Sequence, residues 1–91
     1  MNLEVFLTEH TPEDSFPKKG SFWAMPLPEK IEVSEVTEQS ARKAIQKTFS
    51  LNVPDKEKIP RGVYFQISYQ DKNIFRGHID KNGEISSFVK V

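Results

Sequence analysis

The residues of this chain that could do chemistry are few and lie far apart in the sequence. The two histidines are His10 and His78, and there is no cysteine, so a zinc site would need carboxylates to complete it. Glu13 and Asp14 are adjacent carboxylates, which is weak support for a paired acid–base site. Residues 80–84 (DKNGE) lack the later glutamate of a calcium loop, and no serine lies in a nucleophile-elbow motif. We therefore expect a protein that is not an enzyme and uses no metal or cofactor.

Aromatic residues near the N-terminus suggest a protein-binding surface. Residues 9–20 (EHTPEDSFPKKG) predict a long loop, because prolines interrupt them and they show no periodicity. Exposed aromatic side chains beside acidic ones suit a protein interface, where aromatics contribute most of the binding energy. The alternative is that the loop folds over the aromatics and covers them. The predicted partner-binding residues are Glu13, Asp14, Phe16, Phe22 and Trp23.

The charge distribution suggests a second kind of partner. Residues 1–40 hold eight acidic and three basic residues, and residues 41–91 hold five acidic and ten basic residues, although the chain is neutral as a whole. The two halves can simply attract each other in the fold, or the basic half can form a face for a polyanion.

Nucleic-acid binding is the alternative hypothesis that follows from the basic half. Tyr64, with Arg76 and His78 on the next predicted strand, could form a stacking platform flanked by positive charge. The same residues also suit an ordinary cross-strand pair, and basic residues on a helix are commonly a solvated face. The residues predicted for this alternative are Arg42, Lys43, Lys47, Tyr64 and Arg76.

The last third of the chain, residues 61–91, predicts a three-stranded antiparallel meander. Strict alternation places Val63, Phe65, Ile67 and Tyr69 on one face of the first strand. The next turn is predicted at residues 71–73 (DKN), with a left-handed Asn73, and the second at residues 80–83 (DKNG). Alternation in the last strand places Ile85, Ser87, Val89 and Val91 on one face and Phe88 on the other.

One helix is predicted after the N-terminal strands. Thr37 is the predicted N-cap, and the helix is predicted to end at Asn52 and Pro54. Spacings of three and four residues mark an apolar stripe, whose members are Ala41, Ala44, Ile45, Thr48 and Phe49. Shorter strands are predicted at residues 3–8, 21–25 and 30–35.

These elements predict a single α+β domain over residues 1–91. We expect an antiparallel sheet of about five to six strands, with a C-terminal meander and one helix packed on one face. No apolar run approaches the length of a membrane span, and the N-terminus does not have the pattern of a signal peptide. We therefore expect a cytoplasmic protein with no membrane partner.

Residues 36–88 resemble a PepSY-type domain. The resemblance rests on a helix followed by a hairpin, and on the turn at residues 79–85 (IDKNGEI), with its hydrophobic-Asp-x-x-Gly-x-hydrophobic pattern. It covers just over half of the chain and implies the same local order of helix, strand pair and turn.

The function predicted from these observations is that of a small non-enzymatic protein-binding module. Such a protein could act by occluding its partner, as inhibitors and immunity-type accessory proteins of phages and plasmids do. That expectation rests on size and on the lack of a chemical constellation, by analogy. The alternative is a nucleic-acid-binding protein that uses the basic C-terminal half.

Overall fold

The computed structural model describes residues 1–9, 25, 27–53 and 55–91. Within these ranges the chain forms β1 (Asn2–Thr8), β2 (Glu29–Glu32), α1 (Glu38–Asn52), a 3₁₀ turn (Lys56–Lys58), β3 (Val63–Tyr69), β4 (Lys72–Ile79) and β5 (Ile85–Lys90). The five strands make one antiparallel sheet in the order β2-β1-β3-β4-β5. The predicted α+β class, with its C-terminal meander and one helix on a face of the sheet, is confirmed. The strand predicted at residues 21–25 lies outside the described residues, apart from Met25.

The core lies between α1 and the face of the sheet that we call the inner face. Alternation in β1 sends Leu3, Val5 and Leu7 to this face, where they are fully buried. The predicted helix stripe meets them, since Ala41, Ala44, Ile45 and Thr48 are buried and Phe49 is half-buried. Small side chains at Ala41 and Ala44 let the helix lie close to the sheet. The opposite face of the sheet is called the outer face below.

α1 begins with a capping box, of which the sequence predicted the N-cap residue Thr37. The Ser40 N–H donates to Thr37 Oγ1 at 3.0 Å, and the Thr37 N–H donates to Ser40 Oγ at 2.9 Å. Two N–H groups that have no partner within the helix are satisfied in this way. Among the described residues, no helix is both long and apolar enough to cross a membrane.

The predicted turn at residues 71–73 was placed wrongly. The two-residue turn between β3 and β4 is Gln70–Asp71, and both residues have positive φ, 50° and 63°. Asn73 instead belongs to β4, opposite Ser68. Two successive residues with positive φ make a hairpin turn whose twist matches that of the flanking strands. This match outweighs the preference of asparagine for the left-handed position.

The face assignment predicted for β5 was also wrong. The register of β4 and β5 shifts after the His78–Ser87 pair, so that Ile79 lies opposite Ile85 and Ser86 is the extra residue of a bulge. A bulge breaks the two-residue alternation. Phe88 therefore reaches the inner face, where its ring centroid lies 4.8 Å from that of Phe75. Ser87 and Val89 are exposed on the outer face.

Candidate functional site

The five residues predicted to bind a protein partner lie outside the described residues. They are Glu13, Asp14, Phe16, Phe22 and Trp23, and His10 lies outside as well. Their binding role therefore stays a prediction. In the part of the chain that the structure describes, no group of three or more His, Cys, Asp or Glu side chains could hold a metal ion.

The residues predicted to contact nucleic acid lie on two opposite faces of the sheet. Tyr64 lies directly across from His78, and Arg76 lies across from Gln66, all on the outer face. Arg42, Lys43 and Lys47 belong to α1, which covers the inner face. A single nucleic-acid surface would have to use one of these two sets alone, and the hypothesis stays a prediction for each set.

His78 joins three segments of the chain on the outer face. Its Nε2 lies 2.6 Å from the carbonyl oxygen of Arg61, and because a carbonyl only accepts, Nε2 carries the proton. Its Nδ1 lies 2.6 Å from the hydroxyl of Ser86, and its ring meets Tyr64 edge to face at 5.0 Å. These contacts fix the loop before β3 and the bulge of β5 to the end of β4. His78 and Tyr64 therefore have a structural role as cross-strand partners of each other.

The three basic residues of α1 do not form one continuous face. The Arg42 guanidinium donates to Glu38 Oε1 at 3.0 Å and lies 4.5 Å above the ring of Phe88. This places Arg42 on the β5 side of the helix. Lys43 and Lys47 lie on the other side, where they line a groove beside β2.

That groove, which we call the β2–α1 groove, is the best candidate site in the described part of the chain. Its volume is about 470 Å³, which lies within the range of roughly 300–1,000 Å³ that ligand sites in proteins occupy. The strand side contributes Ile31 and Val33, and the helix side contributes Ala44 with Lys43 and Lys47. The groove therefore combines apolar surface with two lysines on the helix side and two glutamates, Glu32 and Glu35, on the strand side.

The strand that borders the groove, β2, is one of the two edge strands of the described sheet, and the other is β5. β2 pairs with β1 on one side and ends the strand order on the other. Val33 and Met1 exchange both main-chain hydrogen bonds, at 2.8 and 3.1 Å. Since hydrogen-bonded and non-bonded pairs alternate in an antiparallel ladder, the N–H and C=O groups of Lys30 and Glu32 point away from β1. Among the described residues these groups have no main-chain partner, so they are available to a further strand.

The helix and the edge strand run side by side in opposite directions. Asn52 at the end of α1 donates to Glu29 Oε2 at the start of β2, at 3.4 Å. At the other end, residues 33–36 lead directly from β2 into the capped N-terminus of α1. The groove consequently follows the direction of β2, which is the direction that an added strand would take.

A second groove of about 470 Å³ lies at the N-terminus of α1, on the β5 side of the helix. It is lined by Val36, Thr37, Glu38, Phe75, Phe88 and Lys90. The arginine on this side of the helix already has Glu38 and Phe88 as partners. The second groove also lies beside an edge strand, β5, and contains one lysine, Lys90. The β2–α1 groove differs in having two lysines, spaced one helical turn apart, that have no partner in the described residues.

Comparisons with known proteins found no similar protein: no family model matches the chain, and no curated protein or solved structure matches it. The resemblance to PepSY-type domains is therefore limited to the local order of helix, hairpin and turn. Any function must be argued from the geometry of the chain itself.

Proposed function

We propose that this chain is a non-enzymatic protein-binding module that takes up an extended segment of a partner protein in the β2–α1 groove. The bound segment would add a strand to the free edge of β2. In this mode of recognition, main-chain hydrogen bonds supply affinity and pockets for alternate side chains supply selectivity.

The observation that carries the proposal is the open edge of β2 beside the groove. Lys30 and Glu32 together present two N–H and two C=O groups in a row at this edge. Exposed sheet edges are strand-pairing sites, and proteins that do not use them commonly cover them. The apolar side chains of Ile31 and Val33 point to the groove side, so alternate side chains of an added strand would find apolar surface there.

This mode of binding suits a protein that acts by occupancy. A partner segment held as an additional strand is unavailable to its own binding sites, and no bond has to be made or broken for that effect. An inhibitor or immunity-type protein needs nothing further. The predicted contacts of Phe16, Phe22 and Trp23 would add to such a complex.

A substitution at the strand edge tests the proposal directly. Glu32→Pro removes the outward N–H without removing a hydrogen bond to β1, and proline is tolerated on an edge strand in that position. Glu32→Gln is the matched control, because it removes the same charge and keeps the N–H. Loss of one main-chain hydrogen bond, worth about 0.5–1.5 kcal/mol, together with the clash of the proline ring, should weaken strand addition at least about tenfold.

The measurement is selection of linear nonapeptides from a display library, followed by titration of the isotope-labelled chain by NMR. We expect selected peptides to shift the amide signals of β2 and α1. With the fold intact, Glu32→Pro should lower the affinity measured from these shifts at least about tenfold, and Glu32→Gln should leave the affinity unchanged. Peptides that bind Glu32→Pro normally, or that shift only signals of other strands, would contradict the proposal.

A further inference from the structure

The two lysines of the β2–α1 groove indicate which peptide side chains the groove would bind. Lys43 and Lys47 are exposed, and neither has an ion-pair or hydrogen-bond partner in the structure. They line the same groove and lie one helical turn apart. By contrast, Arg42 on the other side of α1 is paired with Glu38. The groove lining also contains Glu32 and Glu35, so the two lysines are positive charges on its helix side that a partner could neutralise.

The spacing of the two lysines matches the repeat of a strand. Residues four apart in a helix are separated by about 6 Å along its axis. Residues two apart in a strand are separated by about 6.7 Å and point to the same face. Because α1 runs beside β2, every second side chain of an added strand would face α1 at nearly the separation of Lys43 and Lys47.

We propose that the β2–α1 groove selects an extended peptide with two carboxylate side chains at alternate positions, one for each lysine. This inference rests on the proposed function, since strand addition to β2 is what sets the direction and repeat of the peptide. The occupant is thus an acidic segment of a partner protein with the pattern acid-x-acid.

The glutamates near the groove do not cancel its preference for an acidic peptide, but they restrict the positions at which the peptide can carry a carboxylate. Alternation in β2 puts the Glu32 side chain on the outer face, because its neighbour Ile31 points inward. Glu32 would therefore meet the other set of peptide side chains and disfavour a carboxylate at the position between the two acids. Glu35 lines the groove near the N-terminus of α1, so a further acid at that end is disfavoured as well. An uninterrupted run of acids would bind less well than the alternating pair.

The test uses capped nonapeptides of one Thr/Val/Ser background in which positions 4 and 6 are both Glu, both Gln or both Lys. A fourth peptide carries Glu at positions 4 and 5. Affinities are measured by NMR titration at low and at physiological salt. Two exposed ion pairs should favour the Glu/Glu peptide over the Gln/Gln peptide by about 2- to 30-fold, and salt should reduce the difference. The peptide with adjacent acids should bind more weakly than the alternating one.

Charge reversal on the helix supplies the decisive variant. The double substitution Lys43→Glu/Lys47→Glu should invert the order, so that the Lys/Lys peptide binds best. The control Lys72→Glu/Lys81→Glu changes the net charge equally at exposed sites outside the groove and should leave the order unchanged.

The outcomes separate the two proposals. If all peptides shift the β2 signals with equal affinity, the acidic preference is wrong and strand addition stands. If Glu32→Pro binds the Glu/Glu peptide with undiminished affinity and the same preference over Gln/Gln, carboxylate recognition stands and strand addition is wrong. If no peptide shifts the signals of β2 or α1, both proposals are wrong.

Discussion

Gly77 in β4 is a position where one added methyl group should cost this fold several kcal/mol. Gly77 lies opposite Phe88 of β5, and a Cβ at this residue would lie 2.0 Å from the carbonyl oxygen of Ser87 and 2.7 Å from Cζ of Phe65. The aromatic rings of the inner face fill the space that a side chain at residue 77 would need. The ring centroid of Phe88 lies 5.9 Å from that of Phe65 and 4.8 Å from that of Phe75.

The cost of Gly77→Ala can be worked out from these distances. An ordinary contact needs at least 3.4 Å, so the main chain at Ser87 would have to move by about 1.4 Å. Because the obstacle is backbone, no side-chain rotation relieves it. Overpacking of this kind costs roughly 1–3 kcal/mol, and the hydrogen bonds of the displaced β5 weaken by about 0.5–1.5 kcal/mol each. We expect the free energy of unfolding to fall by roughly 2–4 kcal/mol, a large part of the 5–15 kcal/mol typical of a domain.

Urea denaturation and thermal melting measure this loss. For a chain of this length, roughly 2–4 kcal/mol corresponds to a fall in Tm of about 10–30 °C. Two controls isolate the cause. Gly83→Ala places a methyl group 3.7 Å from Phe49, an ordinary contact, at a φ of +85°, and should cost only the 1–2 kcal/mol of a left-handed backbone. Ser87→Ala, at an exposed position, should change stability by less than about 0.5 kcal/mol. A loss below about 1 kcal/mol for Gly77→Ala would refute the packing argument.

Two further predictions concern the helix and the predicted binding segment. Thr37→Ala removes the acceptor of the Ser40 N–H and should lower the free energy of unfolding by about 1 kcal/mol. The control Gln39→Ala, at an exposed position of the same turn, should leave the free energy of unfolding in urea unchanged. Equal losses for the two variants would contradict the role of the cap. Trp23→Ala or Phe16→Ala should weaken a complex with the partner at least about 30-fold, because buried aromatic anchors contribute ~2 kcal/mol or more each. Circular dichroism and melting should stay unchanged. If Trp23→Ala unfolds the protein and Phe16→Ala binds normally, these aromatics support the fold instead.

The features that could be predicted from the sequence are those set by neighbouring residues. Thr37 and the apolar stripe of α1 act within one or two helical turns, so periodicity and cap chemistry were sufficient. The turn after β4 is equally local. Asp80 accepts hydrogen bonds from the N–H groups of Asn82 and Glu84 at 2.9 and 3.0 Å, and Gly83 takes the positive φ. The Asp-x-Asn-Gly pattern contains all the groups that this geometry needs.

The two errors in the meander have a common cause, since both concern contacts between strands. Gln70 has no preference for positive φ, and it adopts 50° because the pairing of β3 with β4 leaves two residues for the turn. In β5, a period of two was extended across Ser86, where the structure has a bulge. Gly77 on the neighbouring strand leaves the space that the carbonyl group of Ser87 occupies. Its missing side chain lets Phe88 reach the inner face, and alternation within β5 alone carries no information about it.

The β2–α1 groove shows the same limit for function. Lys43 and Lys47 were recognised in the sequence as basic residues of a helix surface, and residues 30–35 as a short strand. Their meeting depends on β2 being the edge of the sheet and on α1 running beside it, from the capped Thr37 to the contact of Asn52 with Glu29. Strand order is a property of long-range pairing, so the composition of either element cannot reveal it. A net charge of zero likewise conceals two lysines beside the edge strand β2, and the proposed selection of an acidic partner rests on this local arrangement.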